Sequence, residues 1–260
     1  MKTLVITGGS SGIGKATARF FADRGYKVFE LSRHGQDTEG ITHITCDVTD
    51  EHSCREAIKQ VLDSCNTIDV VISNAGFGIS GPIEFTSTDD AKRLFDVNFF
   101  GALNISKAVL PQLRRQLRGR LLYTSSVAGL LPVPYQSFYS ASKSAINALA
   151  LCLQNEVRPF GIEVACLLPG DVSTGFTDAR EKGNEGSNVY CNAQKAVEAM
   201  EKDERNGMPP EKMARILYRM ATTKHLKTYY VGGGVYKLLC FIGKILPVSL
   251  VNHIEGMMYS

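Results

Sequence analysis

The sequence predicts an α/β protein: a doubly wound parallel sheet with helices on both faces and a helical extension at the C-terminus. Three observations predict it. Short apolar runs alternate with longer stretches of helical periodicity, the first connection between them is glycine-rich, and polar residues able to do chemistry stand where the apolar runs end.

Thr3-Leu-Val-Ile-Thr7 is a strand apolar enough to be buried on both faces. Gly8-Gly-Ser-Ser-Gly12-Ile-Gly14 turns the chain into a helix over Lys15–Arg24, closed by Gly25 as its C′ residue, and Tyr26–Ser32 is the second strand. Glycines in such a βαβ turn permit the tight bend and let backbone N–H groups and the helix N-terminus approach a pyrophosphate. The strand before the turn and the helix after it raise the motif above a bare glycine cluster. Ile41–Cys46 is a third strand ending at Asp47, Asp50 through Cys65 a helix, and Ile68–Ser73 a buried strand running into Asn74-Ala-Gly76, where glycine permits close approach to a ligand. The pattern next predicts one long helix capped by Thr88 and running through Gln116, with Asn98 in its middle and Pro111 near its end. Asn98 stands between apolar Val97 and Phe99, which points to a buried polar role. A strand over Arg120–Ser126, a Pro-rich turn, a helix from Tyr139 to Val157 and a strand over Ile162–Leu168 follow. Gly12, Asn74, Ser126 and Pro169-Gly170 all fall at the carboxyl ends of strands, where sheets of this kind bind ligands.

The chemistry concentrates between residues 120 and 147. Ser126, at the end of a buried strand, can point its hydroxyl into a crevice, and Tyr139 and Lys143, at i and i+4, share one helix face. A phenol's ordinary pKa is near ~10, and a nearby ammonium favours its charged form, so Lys143 is expected to bring Tyr139 toward neutrality as a general acid or base.

Composition bounds the alternatives. The chain has 260 residues, 44% hydrophobic and 21% charged, enough for one large domain with one substantial core, so residues 1–260 are taken as a single domain. A net charge of +3 without a Lys/Arg block argues against a nucleic-acid partner. Seven scattered cysteines with no CxxC pair suggest neither a disulfide framework nor a metal site, and fit a reducing compartment. The strand pattern begins almost at once, leaving no room for a signal peptide, and a cytoplasmic protein is expected.

TGGSSGIG at 7–14, SNAG at 73–76, Asn98, Ser126, YSASK at 139–143 and PGDVST at 169–174 resemble, in order, the motif set of the short-chain dehydrogenases/reductases. The resemblance covers roughly residues 3–174. One departure is small: Ser73 stands where the family usually has the first asparagine of NNAG. What the resemblance implies is a Rossmann-like domain with a seven-stranded parallel sheet, a nicotinamide cofactor and no metal. It implies that Tyr139 donates the proton in reduction and accepts it in oxidation, and that Lys143 binds the nicotinamide ribose and lowers the tyrosine's pKa. Ser126 would hydrogen-bond the substrate oxygen, and Asn98 would hold a water that links Lys143 to solvent. Cofactor contacts are implied for Gly8, Ser10, Ser11, Gly12, Ile13 and Gly14 in the turn, and for Asn74, Ala75 and Gly76. Asp47 and Val48 would flank the adenine, and Pro169, Gly170, Val172 and Thr174 would lie along the nicotinamide. NAD-specific members carry an acid at the end of the second strand, whereas this chain has Ser32 followed by Arg33, whose planar donors suit a 2′-phosphate; strand alternation sets Glu30 aside. NADP(H) is therefore expected over NAD(H).

Residues 1–174 form the cofactor-binding and catalytic core in this reading, 175–228 the substrate loop and helix, and 229–260 the last strand and an apolar extension. The polar stretch 175–207, with Asn184, Asn188 and Asn192, resembles a mobile segment over the substrate site. Pro209–Met220 is an amphipathic helix with proline tolerated in its first turn, and Lys227–Val231 the last strand. Val235–Val251 is rich in large apolar residues but is interrupted by Lys237, Lys244 and Pro247, short of the ~20 apolar residues a membrane span needs. Two readings of it stay open: packing on the body beside the substrate mouth, or lying in a membrane interface. Either favours an apolar substrate, and the extension makes the chain similar to the hydroxysteroid and retinol dehydrogenase branch. The expected function is hydride transfer between NADP(H) and a ketone or secondary alcohol of a steroid-, retinoid- or lipid-like molecule. The alternatives are a small-carbonyl or 3-oxoacyl reductase, or a non-catalytic NADP-sensing protein, which would need no proton donor. A homodimer or homotetramer is expected through the helices at 91–116 and 139–157, where Leu149, Leu151 and Leu153 spread around more than one face.

Overall fold

The computed structural model describes residues 1–183 and 189–258. β1 (Thr3–Thr7) is buried at every position, as its uninterrupted apolar run requires. The glycine-rich turn leads into α1 (Gly12–Ala22), and Gly25, at φ +76°, reverses the chain into β2 (Lys27–Ser32). β3 (Ile41–Thr45) precedes α2 (Glu51–Ser64), whose cap is the Asp50 carboxylate accepting the His52 N–H at 2.8 Å. β4 (Val70–Ser73) and the short β5 (Ile79–Ser80) lead to α3 (Thr88–Phe95).

Here the structure corrects the sequence reading. The cap is Ser87, whose hydroxyl accepts the Asp90 N–H at 3.0 Å, and Thr88 is the first helical residue. The expected single helix to Gln116 is broken at Asp96–Phe100 by a π turn, in which the Gly101 N–H reaches back to the Asp96 carbonyl, before α4 (Gly101–Arg115) resumes. The extra residue carries Asn98 inward, where its amide finds backbone partners that a regular helix would have kept from it. Gly101 is required at the restart, since a Cβ there would lie 2.7 Å from Val48 Cγ2.

β6 (Gly119–Thr124), α5 (Ser137–Val157) and β7 (Ile162–Pro169) follow, then the short β8 (Glu181–Lys182), α6 (Ala193–Arg205) and α7 (Pro210–Thr222), with proline at its first position. β9 (Tyr229–Gly232) begins two residues later than expected because its pairing with β7 starts at Cys166 opposite Tyr229. α8 (Gly234–Ile245) and α9 (Val248–Met258) make the apolar extension two helices with a corner at Leu246-Pro247. Among the described residues, none of these helices is long and apolar enough to cross a membrane.

Among the described residues the main sheet has seven parallel strands in the order β3-β2-β1-β4-β6-β7-β9. It is doubly wound and Rossmann-like. One face packs on α2, α4 and α5 through Phe29, Ile105, Leu113 and Tyr123, the other on α1 and α7 through Ile6, Phe21, Leu217 and Met220. Within β1 the alternation is direct, Val5 facing one core and Leu4 and Ile6 the other. The strand order reverses at β1 and β4, which opens a crevice at their carboxyl ends.

Candidate active site

The crevice is built first from glycines. Gly8 and Gly12 hold φ of +64° and +51°, and a Cβ on Gly14 would lie 2.0 Å from the Gly8 carbonyl oxygen, so the turn closes tightly on α1. Ser11, the residue before α1, places no side chain on the helix N-terminus, which leaves those amides facing the crevice. Thr7 joins the two halves of the sheet: its hydroxyl accepts the N–H groups of Asn74 and Ala75 at 2.9 and 3.0 Å, while Asn74 Nδ2 donates to the Thr7 and Gly8 carbonyls at 3.2 and 3.3 Å.

A cavity of about 750 Å³ runs from this turn to the end of the chain. It is lined by Gly8, Ser10, Ser11, Gly12 and Ile13, by Ser32 and Arg33, by Asp47 and Val48, by Asn74, Ala75 and Gly76, and by Pro169, Gly170, Val172 and Thr174. Gly14 lies behind the turn and is absent from the wall. Its role is the close helix–turn contact. Arg33 is exposed at the rim, whereas Glu30 is buried beneath the turn with its carboxylate 2.5 Å from His43 Nδ1 and its Cγ 2.4 Å from where a Gly9 Cβ would stand.

Ser126, Tyr139 and Lys143 converge in the middle of the cavity. Ser126 follows β6, accepts the Ala128 N–H at 3.1 Å and lies near enough to the Tyr139 phenol to lower its pKa. Ser125, next door, turns away to donate to the Lys143 carbonyl at 3.1 Å. The Lys143 ammonium donates to the Thr124 carbonyl at 3.0 Å and sits 5.6 Å from the centre of the Tyr139 ring. The expected lowering of the Tyr139 pKa is not what this site produces. Burial pushes the phenol up to about 12, against the lowering effect of Ser126, with Glu204 raising it and Arg180 lowering it further out. Burial also brings Lys143 down to about 8. Desolvation acts on both groups and outweighs an ammonium that contacts a carbonyl and not the phenol oxygen.

Asn98 is buried and outside the cavity wall. Its Oδ1 accepts the Phe77 N–H at 3.0 Å, and its Nδ2 donates to the Phe77 carbonyl at 3.0 Å and to Ser142 at 3.1 Å. It thereby fixes the backbone after Gly76, where a Cβ would lie 2.9 Å from Asn98 Oδ1 and 3.5 Å from the Lys143 ammonium.

Beyond Tyr139 the wall comes from residues that the sequence motifs do not reach: Leu131, Val133, Met200, Val235 and Leu239 are apolar lining, and Phe176 rests 5.7 Å, ring centre to ring centre, from Tyr139. The segment expected to be mobile is tied down on both sides of residues 184–188, which lie outside the described residues together with Asn184 and Asn188 of that expectation. The Arg93 guanidinium grips the Glu181 carboxylate with both terminal nitrogens, β8 pairs with β5, and the Glu204 carboxylate accepts hydrogen bonds from Thr177 at 2.8 Å and from buried Arg180. For the ion pairs the sequence signal is charge alone, and Arg93 and Glu181 are separated by 88 residues.

Residues 2–185 match the profile of the family described as short chain dehydrogenase. The chain belongs to the short-chain dehydrogenase/reductase family. Such an enzyme is an oxidoreductase that acts on alcohol and ketone groups, and this one resembles the retinol/steroid dehydrogenase branch. It is 37% identical over 226 residues to a 3-ketodihydrosphingosine reductase of Bacteroides thetaiotaomicron, covering 85% of this chain and 84% of that one. It is 28% identical over 261 residues to dehydrogenase/reductase SDR family member 7B of Xenopus laevis, covering 94% and 78%. A solved short-chain dehydrogenase from Streptomyces avermitilis superposes with a TM-score of 0.84 at 28% identity, covering 94% of this chain and 92% of that one.

The dehydrogenase fold uses NAD(P), and the residues present fit such a group. Side chains at Gly8, Gly14 and Gly76 would run into Ala75, the Gly8 carbonyl and Asn98, so the turn keeps its bare backbone close to the crevice, and the uncapped amides of α1 offer donors to a pyrophosphate. Asp47 and Val48 stand at the opposite end of the same crevice wall from Ser126 and Tyr139, so a dinucleotide laid along it would end beside the phenol.

Proposed function

We propose that the protein transfers a hydride between NADP(H) and a ketone or secondary alcohol of an apolar, lipid-like molecule. The observation that carries this is a cavity that joins the glycine-rich turn to Tyr139 and is lined besides by the apolar side chains of Leu131, Val133, Phe176, Met200, Val235 and Leu239, with Gln136 and Glu204 among them. When bound, the nicotinamide supplies the hydride. Ser126 holds the substrate oxygen by a hydrogen bond, and Tyr139 gives that oxygen its proton as charge develops on it. Lys143, charged below about pH 8, steadies the charge left on the phenol and binds the ribose. A phenol held protonated suits the acid role that reduction requires. Asn98 acts on the site through Phe77 and Ser142, which supports a positioning role; a water beside Lys143 is part of the proposal.

The keto lipid named for the Bacteroides relative fits this class. Residues 1–174 bind cofactor and carry the catalytic side chains, 175–228 cover the substrate, and 229–260 add the apolar wall. NADP(H) preference is supported by Ser32 and exposed Arg33 on the cavity rim, with Glu30 engaged elsewhere by His43. Losing one hydrogen bond to a charged partner, ~1.5–3 kcal/mol, should weaken NADPH binding roughly 10- to 150-fold in Arg33→Ala and leave NADH nearly unchanged. Self-association through α3, the π turn and α4 on one side and α5 on the other is part of the proposal, supported by exposed Phe100 in the π turn and Leu151 in α5. A cytoplasmic location is supported by the cysteine usage.

The test is NADPH oxidation followed by absorbance over a panel of long-chain 3-ketones, steroid and retinoid carbonyls and short ketones. Higher kcat/KM on the long apolar ketones is expected. Higher values on the short ones would assign the small-carbonyl or 3-oxoacyl alternative, and cofactor binding without turnover of any would assign the sensor.

A further inference from the structure

We propose that α8 and α9 dock the enzyme on an anionic lipid bilayer, with their outer apolar faces in the interface and Lys237 and Lys244 among the headgroups. The inner faces are already used. Cys240, Leu239 and Val251 pack on Val127, Leu131 and Leu168, and the Tyr236 ring fills the space above Gly170 while its hydroxyl bonds Asp171. The helices are therefore fixed to the body, and what faces away is a surface of the folded protein. On α8 that surface is apolar: Val235, Leu238, Phe241 and Ile245 are 69%, 58%, 61% and 66% exposed. Successive helical residues stand ~100° apart, so these four and Ile242 share one arc of roughly 120°. Leu250 and Ile254, one turn apart on α9, are also exposed.

The charges select the occupant. Lys237 and Lys244, seven residues apart and exposed, fall on one flank of the α8 arc, where their stems can lie along apolar surface and their ammonium groups reach phosphate. Glu255, the carboxylate of the two helices among the described residues, is half-buried and turned to the cavity, where burial raises its pKa. The outer face is thus apolar and cationic with no acid, which complements an anionic bilayer. A second copy of the same face would bring two more lysines and no outward carboxylate to answer them. The face is also continuous with the substrate end of the cavity, since Val235 and Leu239 line it. An apolar substrate dissolved in the bilayer would reach Tyr139 without crossing water.

Docking needs no turnover, so its test is separate from that of the substrate. The full chain is floated with vesicles of phosphatidylcholine alone and of phosphatidylcholine with phosphatidylglycerol. Flotation with the anionic vesicles, reduced by raised salt, is expected. Phe241→Asp with Ile245→Asp should weaken it at least about tenfold, since two large side chains lose their apolar burial. NADPH binding and activity on a water-soluble ketone should be unchanged in that variant. Lys237→Glu with Lys244→Glu, at two exposed positions, should abolish the preference for anionic lipid and serves as the control should the double aspartate variant fold poorly. A wild-type chain that stays at the bottom with both vesicles overturns the proposal. So does flotation that neither pair of substitutions changes, and so does a wild-type dimer in light scattering that the aspartates split, which would give the face to a second copy.

Discussion

Burial sets the working protonation states of both titratable residues at the centre of the site. Tyr139 keeps its proton across the neutral range, while Lys143 gives its proton up near 8. In reduction the phenol is the proton source, so Tyr139→Phe should lower turnover by ~10²–10⁴-fold and leave NADPH affinity nearly intact in a binding titration. Retention of a tenth or more of wild-type activity on a good ketone would remove Tyr139 from that role. Because Lys143 loses its charge as pH passes about 8, kcat/KM for reduction in the free enzyme should decline above that pH. Lys143→Arg should move the decline upward, and a flat profile would mean that the ammonium charge does not matter. The same residue affects stability. Its folded pKa lies below its ordinary 10.5, so between about 8 and 10.5 the unfolded chain binds the proton that the folded one has released. This group therefore adds stability as pH rises through that window and subtracts it in full below.

The π turn between α3 and α4 exists to deliver one side chain. Asn98→Ala would take their partners from the partly buried N–H and C=O of Phe77, at up to ~1–3 kcal/mol for each group that water does not then reach. A domain of this size loses roughly 2–4 °C for each kcal/mol, so thermal denaturation should show a fall of several degrees. A fall in kcat larger than that in NADPH affinity should accompany it, since Gly76, Phe77 and Ser142 border Tyr139 and Lys143; an unchanged melting temperature would contradict the structural role. Asn98 also shows how far local sequence reaches. Its apolar neighbours identified it as buried, but helical periodicity does not distinguish an i→i+4 turn from one with an extra residue, so the break went unseen. Ser87 was missed as the cap because Thr88, equally able to cap, stands beside it. At α8 the apolar composition revealed the helix but not which face would dock, since that depends on Val127, Leu131 and Leu168, all from distant segments of the chain.

At the scale of the whole molecule, a ligand that binds the folded state stabilises it by mass action, about 2.7 kcal/mol at a hundred times its Kd. NADPH should therefore raise the melting temperature by roughly 5–10 °C, and NADH at equal concentration by clearly less. Equal shifts would argue against the Arg33 reading. The parallel, doubly wound sheet and the cofactor motifs were legible because strand ends carry their own motifs: Gly8–Gly14 after β1, Asn74–Gly76 after β4, Ser126 after β6; the order of the strands was not. The apolar end was not, because Phe176, Met200 and Leu239 come from separate segments that share no spacing, and only the folded chain brings them together.

The position of β1 has a consequence for the order in which the molecule forms during synthesis. It is the third strand of the sheet from one edge, between β2 and β4, and Val5 meets Val71 only after the chain has made β2, α1, β3 and α2. The hydrogen bonds from Asn74 to Thr7 span 67 residues, so the first cofactor motif to leave the ribosome is among the later ones to acquire its final shape. Until β4 arrives, one edge of β1 is an unpaired row of apolar strand, open to another nascent chain. Closure of the Thr7–Asn74 part of the cradle and burial of that edge of β1 are thus one event, and the open edge passes outward to β4 until β6 pairs with it.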